Sequence, residues 1–235
     1  MKIKCPDGSV KTAEECLACQ ECFPPVVKRS LLARHDRKKT KKEKPAFGIS
    51  RLVSGCLRRS YYELVIEVPK SLEKLWIFSR GSAIHSFFQK GLEWGKEREI
   101  FRKIELPAFD LIGYIDAIYD GVLYEFKTTG NVPEFPQQHH VLQAQGYFST
   151  LSPEEQEKIK KIIIVYASLQ KIKHFEVPKR NILPFLEAQG VKLAQALKNQ
   201  APPTKEASWQ CEYCDFRDVC EGKKNIDVIQ KQLDV

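Results

Sequence analysis

No run of 18 consecutive apolar residues occurs in the sequence, so no membrane-spanning helix is expected. The opening residues, Met-Lys-Ile-Lys-Cys-Pro-Asp-Gly, carry no apolar h-region. A secretory signal is therefore not expected, and a reducing cytoplasm is the default compartment. No internal repeat is visible, which argues against a solenoid or propeller. The eight cysteines include pairs with two-residue gaps, and in an intracellular chain such gaps favour metal over disulfide.

The chain has 235 residues, and 43% of them are hydrophobic. That supports one domain of ordinary size, or one domain with an appendage. The net charge of +8 is unevenly spread. Residues 1–45 hold 12 Lys/Arg and 6 Asp/Glu, so most of the excess precedes residue 46. The run from Arg37 to Lys44 reads as a solvated linker or as a phosphate contact through counterion release. The expected division is a cysteine-rich basic N-terminal arm and linker (1–45), a core (46–200), and a C-terminal cysteine segment with a tail (201–235).

Residues 113–127 carry the strongest pattern. Asp120-Gly121 is a two-residue hairpin signal, because both positions tolerate positive φ. With that turn at the tip, Tyr119 faces Val122, Ile118 faces Leu123, and Asp116 faces Glu125. Opposed side chains stand roughly 4.5–5.5 Å apart at Cβ. Lys127 falls on the face of Glu125. Two like charges facing each other need a cation between them, and a pair of carboxylates with water suits Mg²⁺ or Mn²⁺. The bland alternative, a solvated pair bonded to lysines, fits poorly with strands otherwise apolar and aromatic.

The order Asp, then Glu-x-Lys, resembles the PD-(D/E)xK nuclease superfamily. The Pro of that motif is missing, but Gly113-x-x-Asp116 matches the Gly-x-x-Asp form of RecB-like members. Around this hairpin, a helix is expected over residues 50–65 with Ser50 as N-cap, and a second helical region over 71–94. Residues 98–106 read as a strand. A helix over 137–151 puts Gln143 and Tyr147 on one face, which by itself suits surface packing equally well. Ile162–Tyr166 reads as a buried strand, 174–177 as an edge strand, 180–199 as a helix, and 226–235 as a polar tail. His85, beside Phe87 and Phe88, is on its own more often a core residue than a ligand.

The cysteines form two groups around Cys56. Cys5, Cys16, Cys19 and Cys22 lie within 18 residues and match either a tetrahedral zinc site or a ferredoxin-type loop, against a reading as free thiols in a mobile tail. Cys211, Cys214 and Cys220 lack a fourth partner. Cys56 can supply it, stapling the start of the core to its end, and zinc would satisfy the same ligands.

Taken in order, Cys56, Gly81-x3-His85, Gly113-x2-Asp116, Glu125-x-Lys127, Gln143-x3-Tyr147 and Cys211-x2-Cys214-x5-Cys220 resemble the iron–sulfur RecB-like nucleases over residues 46–222. The size of the chain is most similar to the CRISPR-associated (Cas) protein four family.

The resemblance implies an α/β, restriction-endonuclease-like mixed central sheet flanked by helices, a C-terminal iron–sulfur region, and a small cysteine-rich N-terminal arm outside the match. It implies Mg²⁺ or Mn²⁺ on His85, Asp116, Glu125 and the Phe126 carbonyl, with Lys127, Gln143 and Tyr147 completing the catalytic set. It also implies an iron–sulfur cluster, [4Fe-4S] or [2Fe-2S], on Cys56, Cys211, Cys214 and Cys220. The expected substrate is single-stranded DNA, and the expected partner is the CRISPR integrase complex of the first and second Cas proteins. Two alternatives stand beside this: the same chemistry in recombination, repair or a mobile element, and a non-catalytic nucleic-acid-binding module. The intact Asp, Glu and Lys argue against the last.

Overall fold

A computed structural model describes residues 1–19, 21–35, 44–207 and 209–223. The basic run over 37–43 and the tail over 226–235 lie outside the described residues. In chain order the elements are β1 (Lys2–Lys4), β2 (Val10–Thr12), α1 (Ala13–Ala18), α2 (Pro25–His35), β3 (Ala46–Gly48), α3 (Ile49–Leu52), α4 (Leu57–Val65), α5 (Leu72–Phe88), β4 (Arg98–Glu105), β5 (Asp110–Tyr119), β6 (Val122–Thr128), α6 (Gln138–Ser149), α7 (Pro153–Lys158), β7 (Lys161–Ala167), β8 (Ile172–Val177), α8 (Leu183–Lys198), a 3₁₀ turn (Trp209–Tyr213) and α9 (Arg217–Cys220). The described residues within 1–41, 62–83 and 210–235 form one compact unit, and those within 42–61 and 84–209 form the other. No helix among the described residues is long and apolar enough to cross a membrane.

The smaller unit contains the residues expected as an arm. Residues 1–35 fold into the β1–β2 hairpin and two helices. Thr12 caps α1 through a capping box with Glu15. Ile3, Cys16, Leu31 and Leu32 share an apolar core with Leu72 and Leu75.

The larger unit is a mixed α/β fold around a six-stranded mixed sheet. β4 runs antiparallel along β5 from Glu105↔Asp110 to Arg98↔Ala117, covering one edge of that strand. On the opposite edge, β3 pairs in parallel with residues 110–112 and β6 pairs antiparallel with residues 117–119. Residues 113–116 of that edge lie between them. β7 then pairs in parallel with β6, and β8 closes the order antiparallel to β7. α6 and α8 contribute the buried Ala144, Leu186 and Leu193, alongside Leu111, Ile115, Leu123, Ile162 and Ile164 of the sheet. These properties match a restriction-endonuclease-like architecture.

One expectation is corrected. The helix expected over 50–65 is two helices, α3 and α4, interrupted at 53–56. The first helix ends at its cap Val53, and Gly55, two residues on, takes φ +84°, a left-handed conformation that keeps it from running on into α4. The cap is Gly48 rather than Ser50, which lies inside α3. The short α3 lets Ile49 reach two glycines. A Cβ on Gly113 would stand 2.8 Å from a ring carbon of Tyr147 and 2.9 Å from Ile49 Cδ1, and one on Gly146 would stand 2.6 Å from Ile49 Cγ2. Gly113 therefore makes room for Tyr147 beneath the open stretch of β5. Gly113→Ala should overpack that contact, costing about 1–3 kcal/mol of stability and displacing Tyr147. Denaturant unfolding with Tyr147 fluorescence or chemical shift as the probe checks it; an unchanged midpoint would mean the contact yields freely.

Candidate active site

The central hairpin forms as its residues dictate. Asp120 (φ +47°) and Gly121 (φ +72°) make the turn, and the pairs Tyr119↔Val122 and Ile118↔Leu123 follow. The ladder ends at Ala117↔Tyr124, one pair short of Asp116 and Glu125. There the backbone N–H of Phe126 donates instead to Asp116 Oδ2 at 2.7 Å. The carboxylate of Asp116 thus takes the place of a strand partner, and the sheet opens where the two acids meet.

Glu125 is 1% exposed. Its Oε1 accepts from Lys127 Nζ at 2.6 Å. Its Oε2 is buried and has no hydrogen-bond partner among the described residues. Burial pushes the Glu125 carboxyl up to about 7, and Asp116 adds to the rise, while Lys127 and His85 oppose it. Lys127 Nζ also donates to Gln143 Oε1 at 2.9 Å, and Gln143 Nε2 donates to the Tyr147 hydroxyl at 2.9 Å. Desolvation and the nearby charges of Glu125 and Asp116 hold the Tyr147 phenol well above its ordinary value.

His85 comes from α5, with Nδ1 at 3.4 Å from Asp116 Oδ1. Burial disfavours its charged form, but the hydrogen bond and charge of Asp116 outweigh that and raise its pKa. The ring sits edge-on to Phe126, and Phe88 stacks on the same ring. The structure therefore brings His85, Asp116, Glu125, Lys127, Gln143 and Tyr147 together. Phe126 contributes its N–H here.

Residues that the sequence pattern does not single out form a supporting layer. Gln89 is 2% exposed, and its Nε2 donates to the Asp116 carbonyl at 2.8 Å and to Glu99 Oε1 at 3.0 Å. Glu99 holds φ +49°, a strained backbone for a side-chain-bearing residue. A signal for Gln89 was present, since it follows His85 at i+4, on the same helical face. His140 Nδ1 lies 2.8 Å from the Tyr166 hydroxyl. Burial, with Lys127 and His139 adding to it, pushes the His140 pKa down to about 3, so this imidazole is neutral at pH 7.

The donor set fits a hard divalent cation: an imidazole and two carboxylates, one of which, Glu125, keeps a buried oxygen that accepts no hydrogen bond. In the geometry as it stands, no three His, Cys, Asp or Glu side chains among the described residues form a ready-made metal group. His85 and Lys127 supply the positive charge beside the acids.

The cysteines are placed as follows. Cys211 lies in the 3₁₀ turn, Cys214 follows it, and Cys220 ends α9. Cys56 belongs to the larger unit, where the Arg59 N–H approaches its sulfur at 3.4 Å. Cys5, Cys16, Cys19 and Cys22 line one cavity of the smaller unit.

A family model for the PD-(D/E)XK nuclease superfamily matches residues 30–221. The chain belongs to that superfamily. A curated relative, one of the subunits of the ATP-dependent helicase/deoxyribonuclease of Anoxybacillus flavithermus, is 25% identical over 177 residues, which is 74% of this chain. The match spans 14% of that relative's length. The crystal structure of SSO0001 superposes with a TM-score of 0.55 at 22% identity, covering 92% of this chain and 99% of that one. That likeness concerns the fold.

Protonated Glu125 is a poor ligand, so binding of a dication must release its proton. His85, whose pKa is also raised, must likewise be neutral to ligate, so affinity for Mg²⁺ or Mn²⁺ should rise about tenfold or more per pH unit as pH climbs toward about 7. Calorimetric titrations across that range check it. Glu125→Gln should lower the slope to the part that His85 contributes, and a pH-independent affinity in the unaltered protein would contradict the assignment.

Proposed function

We propose that this nuclease is a Mg²⁺- or Mn²⁺-dependent deoxyribonuclease that trims single-stranded DNA. The observation that supports this most is the buried, unpartnered Glu125 Oε2 beside Asp116, with Lys127 bonded to the other oxygen.

Hydrolysis of a phosphodiester forms a bond from a water oxygen to phosphorus as the bond to the leaving oxygen breaks. A bound dication would polarise the phosphate and lower the pKa of that water. Asp116, Glu125 and His85 would hold it. Lys127 orients the water and balances charge developing on the phosphate oxygens. Gln143, anchored by Tyr147, fixes the ammonium of Lys127, so its position does not depend on Glu125 alone. Phe87, largely exposed and packed against Phe88, offers an apolar face on which an unpaired base can stack.

The finer setting is a reading from the motif order. In it the chain processes prespacer ends in CRISPR adaptation, in the cytoplasm, with the integrase complex of the first and second Cas proteins. Cys56, Cys211, Cys214 and Cys220 carry a structural iron–sulfur cluster, [4Fe-4S] or [2Fe-2S], through which no hydrolytic step passes. A second setting, recombination, repair or a mobile element, uses the same chemistry. Gene neighbourhood separates the two.

The test is cleavage of end-labelled single-stranded DNA with Mg²⁺ or Mn²⁺. Asp116→Ala, Glu125→Ala and Lys127→Ala should each lower the rate by about 10²-fold or more while the circular dichroism stays native. Gln143→Ala should lower it less. Full activity in EDTA, or in Asp116→Ala, would contradict the proposal.

A further inference from the structure

We propose that Cys5, Cys16, Cys19 and Cys22 bind one zinc ion as a tetrathiolate, structural centre in the unit that does not contain Asp116 and Glu125. The four cysteines, on the hairpin turn, on α1, at its end and in the turn beyond it, all line one cavity. Cys5 opens the β1–β2 turn, where Gly8 N–H donates to the Cys5 carbonyl at 3.0 Å and Gly8 takes φ +87°. Cys16 lies on α1 and is 4% exposed. Cys19 caps the end of that helix. Cys22 follows in a left-handed conformation, φ +67°, which a non-glycine residue adopts only at a cost. That turn folds the chain back toward the cavity.

The charges around the cavity suit thiolates. Lys11 Nζ stands 3.5 Å from Cys19 Sγ. Lys28 is 1% exposed, and its ammonium donates to the Cys16 carbonyl at 3.2 Å and to the Cys19 carbonyl. A buried ammonium on two neutral carbonyls is an unbalanced charge. Four thiolates around a dication leave two negative charges, and Lys11 and Lys28 offset them from outside the ligand shell. Lys4, Glu21 and Glu73 complete the charged lining, so the cations still outnumber the carboxylates.

In the geometry as it stands the thiols line the cavity without converging. Closing the site takes rotation of the exposed Cys22 and the half-buried Cys5 and Cys19, while Cys16 stays anchored in the core. A centre there would tie the hairpin, α1 and the turn before α2 into one piece, supplementing a small apolar core.

The experiment uses the full chain, purified under reducing conditions and reconstituted with zinc. Metal analysis should find one zinc per chain, released by a mercurial reagent in step with four thiols. Cobalt substitution should give the intense absorption of tetrahedral thiolate coordination. The Cys19→Ser/Cys22→Ser double variant should lose the zinc. Cys22→His, which keeps a ligand, should retain it, and Cys214→Ser should leave it unchanged. Four freely titratable thiols without zinc, a disulfide among these cysteines after purification under reduction, zinc retained by the double variant, or iron with inorganic sulfide on these residues would each overturn the proposal. None of these outcomes depends on nuclease activity.

Discussion

The structure of the larger unit turns on one unfavourable placement: the carboxyl of Glu125, 1% exposed, next to the carboxylate of Asp116. Raising that carboxyl from 4.5 to about 7 corresponds to roughly 3 kcal/mol against its ionised form. On this group's account the metal-free fold is most stable at low pH, and that contribution is lost as pH rises through about 7. The ammonium of Lys127, the ring of His85 and the N–H of Phe126 offset the charge in part. They leave Glu125 Oε2 without a partner. A cation satisfies that oxygen and lowers the repulsion at once, which is why the arrangement makes sense as a binding site and not as a stabilising feature.

The fold supports this placement by interrupting its own sheet. β3 and β6 share one edge of β5 and leave residues 113–116 between them. The polar chain from Lys127 through Gln143 to Tyr147 enters from α6, and Gly113 clears the space for the Tyr147 ring. On the other side Gln89 fixes the Asp116 carbonyl. Asp116 is therefore held by a backbone N–H and a buried amide, and Glu125 by the ammonium that Gln143 fixes, so the site is assembled before any ligand arrives.

Much of this was legible in the sequence, where the controlling interactions are local. Asp120-Gly121 dictates the turn, the turn dictates the register, and the two-residue alternation along β6 puts Lys127 on the face of Glu125. The i, i+4 spacing of Gln143 and Tyr147 puts both on the face that meets Lys127. The illegible parts depend on distant partners. Gly55 breaks a helix whose residues otherwise favour continuity. The substitution of Asp116 for a strand partner follows from desolvation, which no strand pattern encodes. The packing of Ile3 and Leu31 on Leu72 and Leu75 joins segments far apart in the chain, which no local pattern in residues 1–35 encodes.

The central claim is that a divalent cation belongs between Asp116 and Glu125. A crystal grown with Mn²⁺ and measured for anomalous scattering at the manganese edge tests it most directly. The account predicts a peak within about 2.2 Å of Glu125 Oε2 and of an Asp116 carboxylate oxygen, in the distance range of hard-cation ligands. Manganese bound elsewhere on the chain, with Glu125 Oε2 still unpartnered, would contradict it.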